Sequence, residues 1–212
     1  MDHPTRPGVR AKKNARGRLS RLAEGHPDRV RGYQDETRWS RLAQPSVPAR
    51  AADAPRRLVG QQAVKSDPDP QALACYGRWR DDTAAMGLRR VAGRPVSQVT
   101  EDFLAWACRR LAAEGEEARL LIWGNAPWHV SQRARAWGRA RHRHAAEHGG
   151  VRIPPRFLPG KSPWPNAIAP EWVHGKKAIA EPERTLTAQE TKGRIYAYYG
   201  AKPAKPLVQK VP

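Results

Sequence analysis

From Ser97 the apolar residues Val99, Phe103, Trp106, Ala107 and Leu111 recur close to helical spacing, and Gly115 supplies a stop. ARLLIW follows at once (residues 118–123), a continuous apolar run of strand length, the pattern of a strand covered on both faces. It breaks abruptly at GNAPWH. A second helix is predicted from Ser131 to the Gly149-Gly150 pair, and it carries Arg133, Arg135, Arg139, Arg141 and Arg143. Gly138 weakens that helix by about 1 kcal/mol relative to alanine. VRIPPRFL reads as a strand in which Pro154 and Pro155 remove backbone donors. After the turn-rich PGKSPWPNAIAP, a third helix is predicted to start near Ile168 or Glu171. A fourth starts near Thr187, where Thr187 and Glu190 have the spacing of a capping box.

Upstream the signal is weaker. GYQDET ends a first strand candidate, although Arg29, Arg31 and Gly32 make RVRGYQD a poor strand. RLVGQQAV and ALACYGRW are further candidates, separated by the turn SDPDPQ, and SVPARAADAPRR reads as a loop. Helix and strand alternate through the middle of the chain. That order predicts an α/β domain with parallel strands, preceded by shorter strands that can pair antiparallel. No internal repeat is visible.

Charge changes the picture more than length does. The 212 residues hold 39 Lys and Arg against 20 Asp and Glu, a formal net charge of +19. A polyanion is the expected partner, nucleic acid before a membrane surface. Residues 1–31 contain nine Lys and Arg and three acids and are predicted to form a disordered basic arm. Residues 32–200 form the domain, and 201–212 a Pro- and Lys-rich extended tail. Leu, Ile, Val and Phe total only 33 residues, a level at which a poorly folded relic becomes a serious alternative. Eight Trp argue for a packed core. No apolar run approaches a membrane span, and the N-terminus lacks the apolar stretch of a secretory signal. The two cysteines, Cys75 and Cys108, exclude a disulfide framework, and the expected location is the cytoplasm, at the nucleoid.

Three segments carry candidate chemistry. Asp35 and Glu36 end the first strand, where regular alternation sends them to opposite faces. Lys161, Trp164, Trp172, His174, Lys176 and Lys177 interleave cations with aromatic rings, a combination suited to phosphates and unpaired bases. Arg133 and Arg135 stand behind them as further candidates for DNA contact. His144, Glu147 and His148 fit the inverted zinc-peptidase pattern, but at a helix end, among arginines and with no third ligand in view.

QDETRWSRLAQP, DPDPQALACYG, GRPVSQVTEDFLAWACRRLAAEG, LIWGNAPWHVSQRARAW and LPGKSPWPNAIAPEWVHGKKAI occur in that order. Together, from about Tyr33 to Gly200, they resemble the catalytic domain of a bacterial insertion-sequence transposase of the mariner-related DDE superfamily endonuclease type. The resemblance implies an α/β, RNase H-like mixed sheet flanked by helices. It also implies metal-dependent DNA strand cleavage and transfer, with three carboxylates holding two Mg²⁺ or Mn²⁺ ions. Asp35 matches the first carboxylate and is the one expected catalytic and metal-ligating residue. Gly124 stands where the second is usual and Ala169 where the third is usual, while Pro165 replaces a customary leucine. The resemblance therefore implies a catalytically degenerate domain. Its implied partners are DNA and a second copy of the chain or an intact transposase. The helix-turn-helix region usual ahead of such a domain has no counterpart before Asp35, so a truncated form is expected.

Overall fold

A computed structural model describes residues 29–43, 66–158, 166–181 and 184–208. The basic arm up to residue 28, the RLVGQQAV candidate, Lys161 and Trp164 lie outside them. Six strands form one sheet in the order β5-β4-β1-β2-β3-β6. They are β1 (Arg29–Ser40), β2 (Ala72–Arg80), β3 (Ala85–Ala92), β4 (Ala118–Trp123), β5 (Pro155–Phe157) and β6 (Leu207–Val208). The helices are α1 (Ser97–Ala113), α2 (Pro127–Val130), α3 (Gln132–His148), α4 (Ile168–Ile179) and α5 (Ala188–Tyr198). β1, β2 and β3 form an antiparallel meander, whereas β4 runs parallel to β1 and β5 parallel to β4. The sheet is mixed, as the pattern predicts.

The first strand departs from expectation. Asp35 is not at its end but near its middle, because β1 continues through Ser40 against β2. Asp35 is instead the first residue beyond the parallel pairing with β4, whose last matched pair is Gln34 with Trp123. Arg41 anchors the far end of this long strand. Its buried guanidinium donates to Asp67, to the Pro70 and Asp69 carbonyls and to the Leu186 carbonyl. One side chain thereby ties β1 to the segments before β2 and before α5.

Gly32 also reads differently in three dimensions. A Cβ at this position would overlap the guanidinium of Arg119, which is 1% exposed and donates through Nη2 to the Trp79 carbonyl at 2.6 Å. Gly32 therefore makes room for a buried arginine and is not a defect in the strand. β5 is held to three residues, with Pro155 at its first position on the sheet edge, where a missing donor is tolerated.

Helices cover both faces of the sheet. One face packs Tyr33, Trp39, Cys75, Leu88 and Ile122 against Ile168, Trp172 and Ile179 of α4 and Ile195 of α5. The other packs Leu121 and Trp123 against Leu104, Cys108 and Leu111 of α1, with Tyr76, Val99 and Phe103 beside them. Aromatic rings supply what the aliphatics lack: Trp39, Tyr33, Tyr76 and Phe103 are among the largest fully buried side chains. The capping box before α5 forms as predicted: the Thr187 hydroxyl accepts from the Glu190 amide, and Glu190 accepts from the Thr187 amide. Of the Pro- and Lys-rich tail, Leu207 and Val208 pair in parallel with β3.

Candidate functional site

The site is built where β1 outlasts its pairing with β4. Asp35 and Gly124 are the residues that follow the last β1–β4 pair. Asn166, just ahead of α4, reaches the same place and donates from Nδ2 to Asp35 Oδ2 at 3.1 Å. Its backbone carbonyl accepts from the Ala169 amide at 3.1 Å, so Ala169 lies in the first turn of α4, three residues after the Asn166 that binds Asp35. Of the three positions singled out in the sequence, Asp35 alone bears a carboxylate.

Burial, followed by the neighbouring Glu36 carboxylate, pushes the Asp35 pKa up to about 6. Hydrogen bonds from the Glu36 amide and Asn166 act the other way, as does the charge of His129. A Cβ at Gly124 would meet only His129 Nδ1, at 3.9 Å, so a larger residue fits there without displacing backbone.

Glu36 faces the opposite side of the sheet, as alternation requires. Its Oε1 accepts from Gln34 Nε2 at 2.8 Å and lies 2.8 Å from His129 Nε2. His129, 1% exposed, stacks on Trp123 with ring centroids 4.3 Å apart, and its Nδ1 lies 3.0 Å from the Gly124 carbonyl. That carbonyl can only accept, so Nδ1 carries a proton. Trp123 Nε1 completes the chain by donating to Gln34 Oε1. Both His129 nitrogens are engaged, so this histidine pegs the β4–α2 turn and has no nitrogen free to act on a substrate. This network was not apparent in the sequence. Its one signal is a histidine in GNAPWH, since alternation alone says only that Glu36 faces away from Asp35.

The described residues around Asp35 do not fit a two-ion centre. Among the described residues, no group of three or more His, Cys, Asp and Glu could hold a metal ion. Asp35 faces an amide N–H where a further oxygen ligand would be needed. His144 and His148 stack at 4.7 Å on the exposed face of α3 with no third ligand among the described residues.

The DNA-contact candidates separate by burial. Trp172 is corrected to a core residue: it is 5% exposed and packs edge-on against Trp39 at 5.9 Å and Tyr199 at 5.7 Å. Gly77 leaves the room its ring occupies. His174, Lys176 and Lys177 lie exposed on α4. Arg133 is exposed, but Glu101 grips it at 2.8 and 3.0 Å. Arg135 and Arg139 border a groove with Trp123, His129 and Phe157. No helix among the described residues is long and apolar enough to cross a membrane.

No family sequence model matches the chain, and no curated protein sequence matches it. Solved structures do. The Mos1 mariner paired-end complex with Mn superposes with a TM-score of 0.61 at 13% identity, over 96% of this chain and 57% of that one. The Mos1 paired-end complex with the left transposon end gives 0.59 at 14% identity, over 96% and 57%. The chain thus spans a little over half the length of the transposase in those complexes. The catalytic domain of Mos1 mariner transposase on its own gives 0.57 at 12% identity, over 96% and 85%. At these identities the likeness concerns fold: the chain shares the mixed-sheet α/β architecture of the mariner transposase catalytic domain.

Proposed function

We propose that this chain is a DDE-type transposase domain, of the kind found in bacterial insertion sequences, that binds DNA and has lost the strand-cleavage chemistry of its relatives. The observation that supports the reading is that Asp35 and Gly124 both follow the last β1–β4 pair, while Ala169 stands three residues after the Asn166 that binds Asp35. Relatives of this type place three carboxylates there, and two of the positions lack any side chain able to bind a divalent ion. One carboxylate, raised toward neutrality by burial, does not replace three.

DNA is the partner that the charge of +19 supports. Arg135, His174, Lys176 and Lys177 are the exposed candidates among the described residues, with Arg133 shared with Glu101. Lys161 remains a candidate from its sequence context. The similar structures are paired-end, transposon-end and Mn-bound complexes of Mos1. By extension, we propose DNA ends as ligand, Mg²⁺ or Mn²⁺ as the ancestral requirement, a second copy or an intact transposase as partner, and the nucleoid as location.

The test is a supercoiled-DNA nicking assay with Mg²⁺ or Mn²⁺ on the unaltered chain and on the double variant Gly124→Asp/Ala169→Glu. The unaltered chain should bind DNA with log K falling linearly in log[salt] and should not nick it. Metal-dependent nicking by the unaltered chain would overturn the degenerate reading. The absence of DNA binding at low salt would overturn the binding role.

A further inference from the structure

A second basic site lies away from Asp35, on the opposite face of the sheet, between β3, the C-terminal half of α1 and residues 200–204. It is a cavity of about 380 Å³ bordered by Arg78, Arg89, Trp106, Arg110, Glu114 and Lys202. We propose that it binds a phosphoryl group. This inference does not depend on the transposase reading.

One buried guanidinium and one half-buried one keep buried donors that have no acceptor. Arg78 is 7% exposed, and its Nε and Nη1 are buried with no hydrogen-bond partner. Its one polar bond runs from Nη2 to Glu114 at 2.7 Å. Arg89 donates from Nη2 to the Lys205 carbonyl at 2.7 Å, and its Nε is likewise buried without a partner. Both guanidiniums lie over the Trp106 ring, 5.7 and 5.5 Å from its centroid. The ring offsets part of the charge but accepts no conventional hydrogen bond.

Among the described residues, Glu114 is the only acid lining the cavity, and it is already shared. It accepts from Arg80 at 2.7 Å as well as from Arg78, and Arg110 stands 3.9 Å away. Four cations therefore border the cavity against one carboxylate that Arg80 also uses. Burial and the nearby Arg109 both push the Arg89 pKa down, the direction expected of a cation short of negative partners.

The local backbone is shaped for this arrangement. A Cβ at Gly87 would overlap the Arg78 side chain, so the glycine lets that arginine lie flat across β3. Desolvating cations is costly unless an anion joins them, and a forked guanidinium matches a tetrahedral oxyanion bidentately. A phosphoryl group offers several acceptor oxygens to the donors that lack one. The exposed Arg110 and Lys202 at the rim would complete its neutralisation.

The phosphoryl group could belong to a small free phosphate or to a nucleic-acid backbone. Calorimetric titration of the full chain with inorganic phosphate, at constant ionic strength in chloride, tests the first. Anisotropy of a labelled 12-base-pair duplex, competed with phosphate, tests the second. The variant Arg110→Ala/Lys202→Ala should weaken phosphate binding about tenfold, the scale of one lost charge-assisted hydrogen bond. Weaker duplex binding in that variant would assign the site to backbone phosphate, and unchanged duplex binding would assign it to a free phosphate. Glu114→Gln should shift phosphate affinity the opposite way, because it removes the competing acceptor. Lys192→Ala, on α5 away from the cavity, should leave phosphate affinity unchanged. Absence of phosphate binding by the unaltered chain would overturn the proposal. So would equal phosphate affinity in the rim variant and the unaltered chain, given matching thermal melts.

Discussion

Substituting Asp35 with asparagine isolates the cost of burying a carboxylate beside that of Glu36. In the folded chain the Asp35 pKa stands at about 6 against an ordinary 3.8. The folded state therefore holds this proton more tightly than the unfolded state does. Well below pH 3.8 the carboxyl is neutral in both states and carries no penalty. As pH rises through 6 the folded carboxyl must ionise in a desolvated place, and stability falls. The full shift corresponds to at most ~3 kcal/mol above pH 6. Asp35→Asn removes the charge while keeping the shape. The Glu36 amide retains an acceptor, and Asn166, whose Oδ1 is buried without a partner, can turn its amide to accept from the new one. The variant should gain up to ~3 kcal/mol at pH 7.5, or roughly 5–10 °C in Tm for a domain of this size. At pH 4 the gain should shrink to about 0.5 kcal/mol. Urea denaturation followed by circular dichroism at several pH values between 4 and 7.5 measures it. An equal gain at both ends of that range, or a loss at neutral pH, would refute the burial argument.

Gly32→Ala should destabilise by about 2–4 kcal/mol, because it displaces a buried guanidinium that has no space to retreat into; an unchanged urea midpoint would mean that Arg119 is not packed beneath it. Trp172→Ala should lose about 3–5 kcal/mol, whereas His174→Ala, two residues on, should stay within about 0.5 kcal/mol. Similar small losses for both would place the tryptophan on the surface. Arg135→Ala/Arg139→Ala should lower the slope of log K for DNA against log[salt] by up to about 2, as read from anisotropy titrations, and an unaltered slope would remove α3 from the DNA-binding surface.

How much was legible beforehand depends on how local the cause was. The apolar spacing from Val99 to Leu111, the continuous run into Trp123 and the Thr187–Glu190 cap are interactions within a few residues, and each forms as read. β3 was harder to see. Its arginines blur the alternation, and only pairing with β2 shows that Met86 and Leu88 point into the core. The mixed cation–aromatic segment misled in part. At 3.6 residues per turn, Ile168, Trp172, Gly175 and Ile179 share the buried face of α4, while His174, Lys176 and Lys177 share the wet one. One stretch of sequence thus holds both core and surface.

The sequence by itself determined the positive charge, the helix and strand periods, and the absence of carboxylates at positions 124 and 169. These are properties of residue identity and of neighbours along the chain. Only the tertiary structure decided that β1 runs on past Asp35, that Asn166 meets its carboxylate, and that Glu36 belongs to His129 on the other face. It also decided that Gly32 and Gly87 make room for arginines. Each of these depends on atoms brought together from distant parts of the chain or from adjacent strands, and residue order alone does not specify which of them will touch.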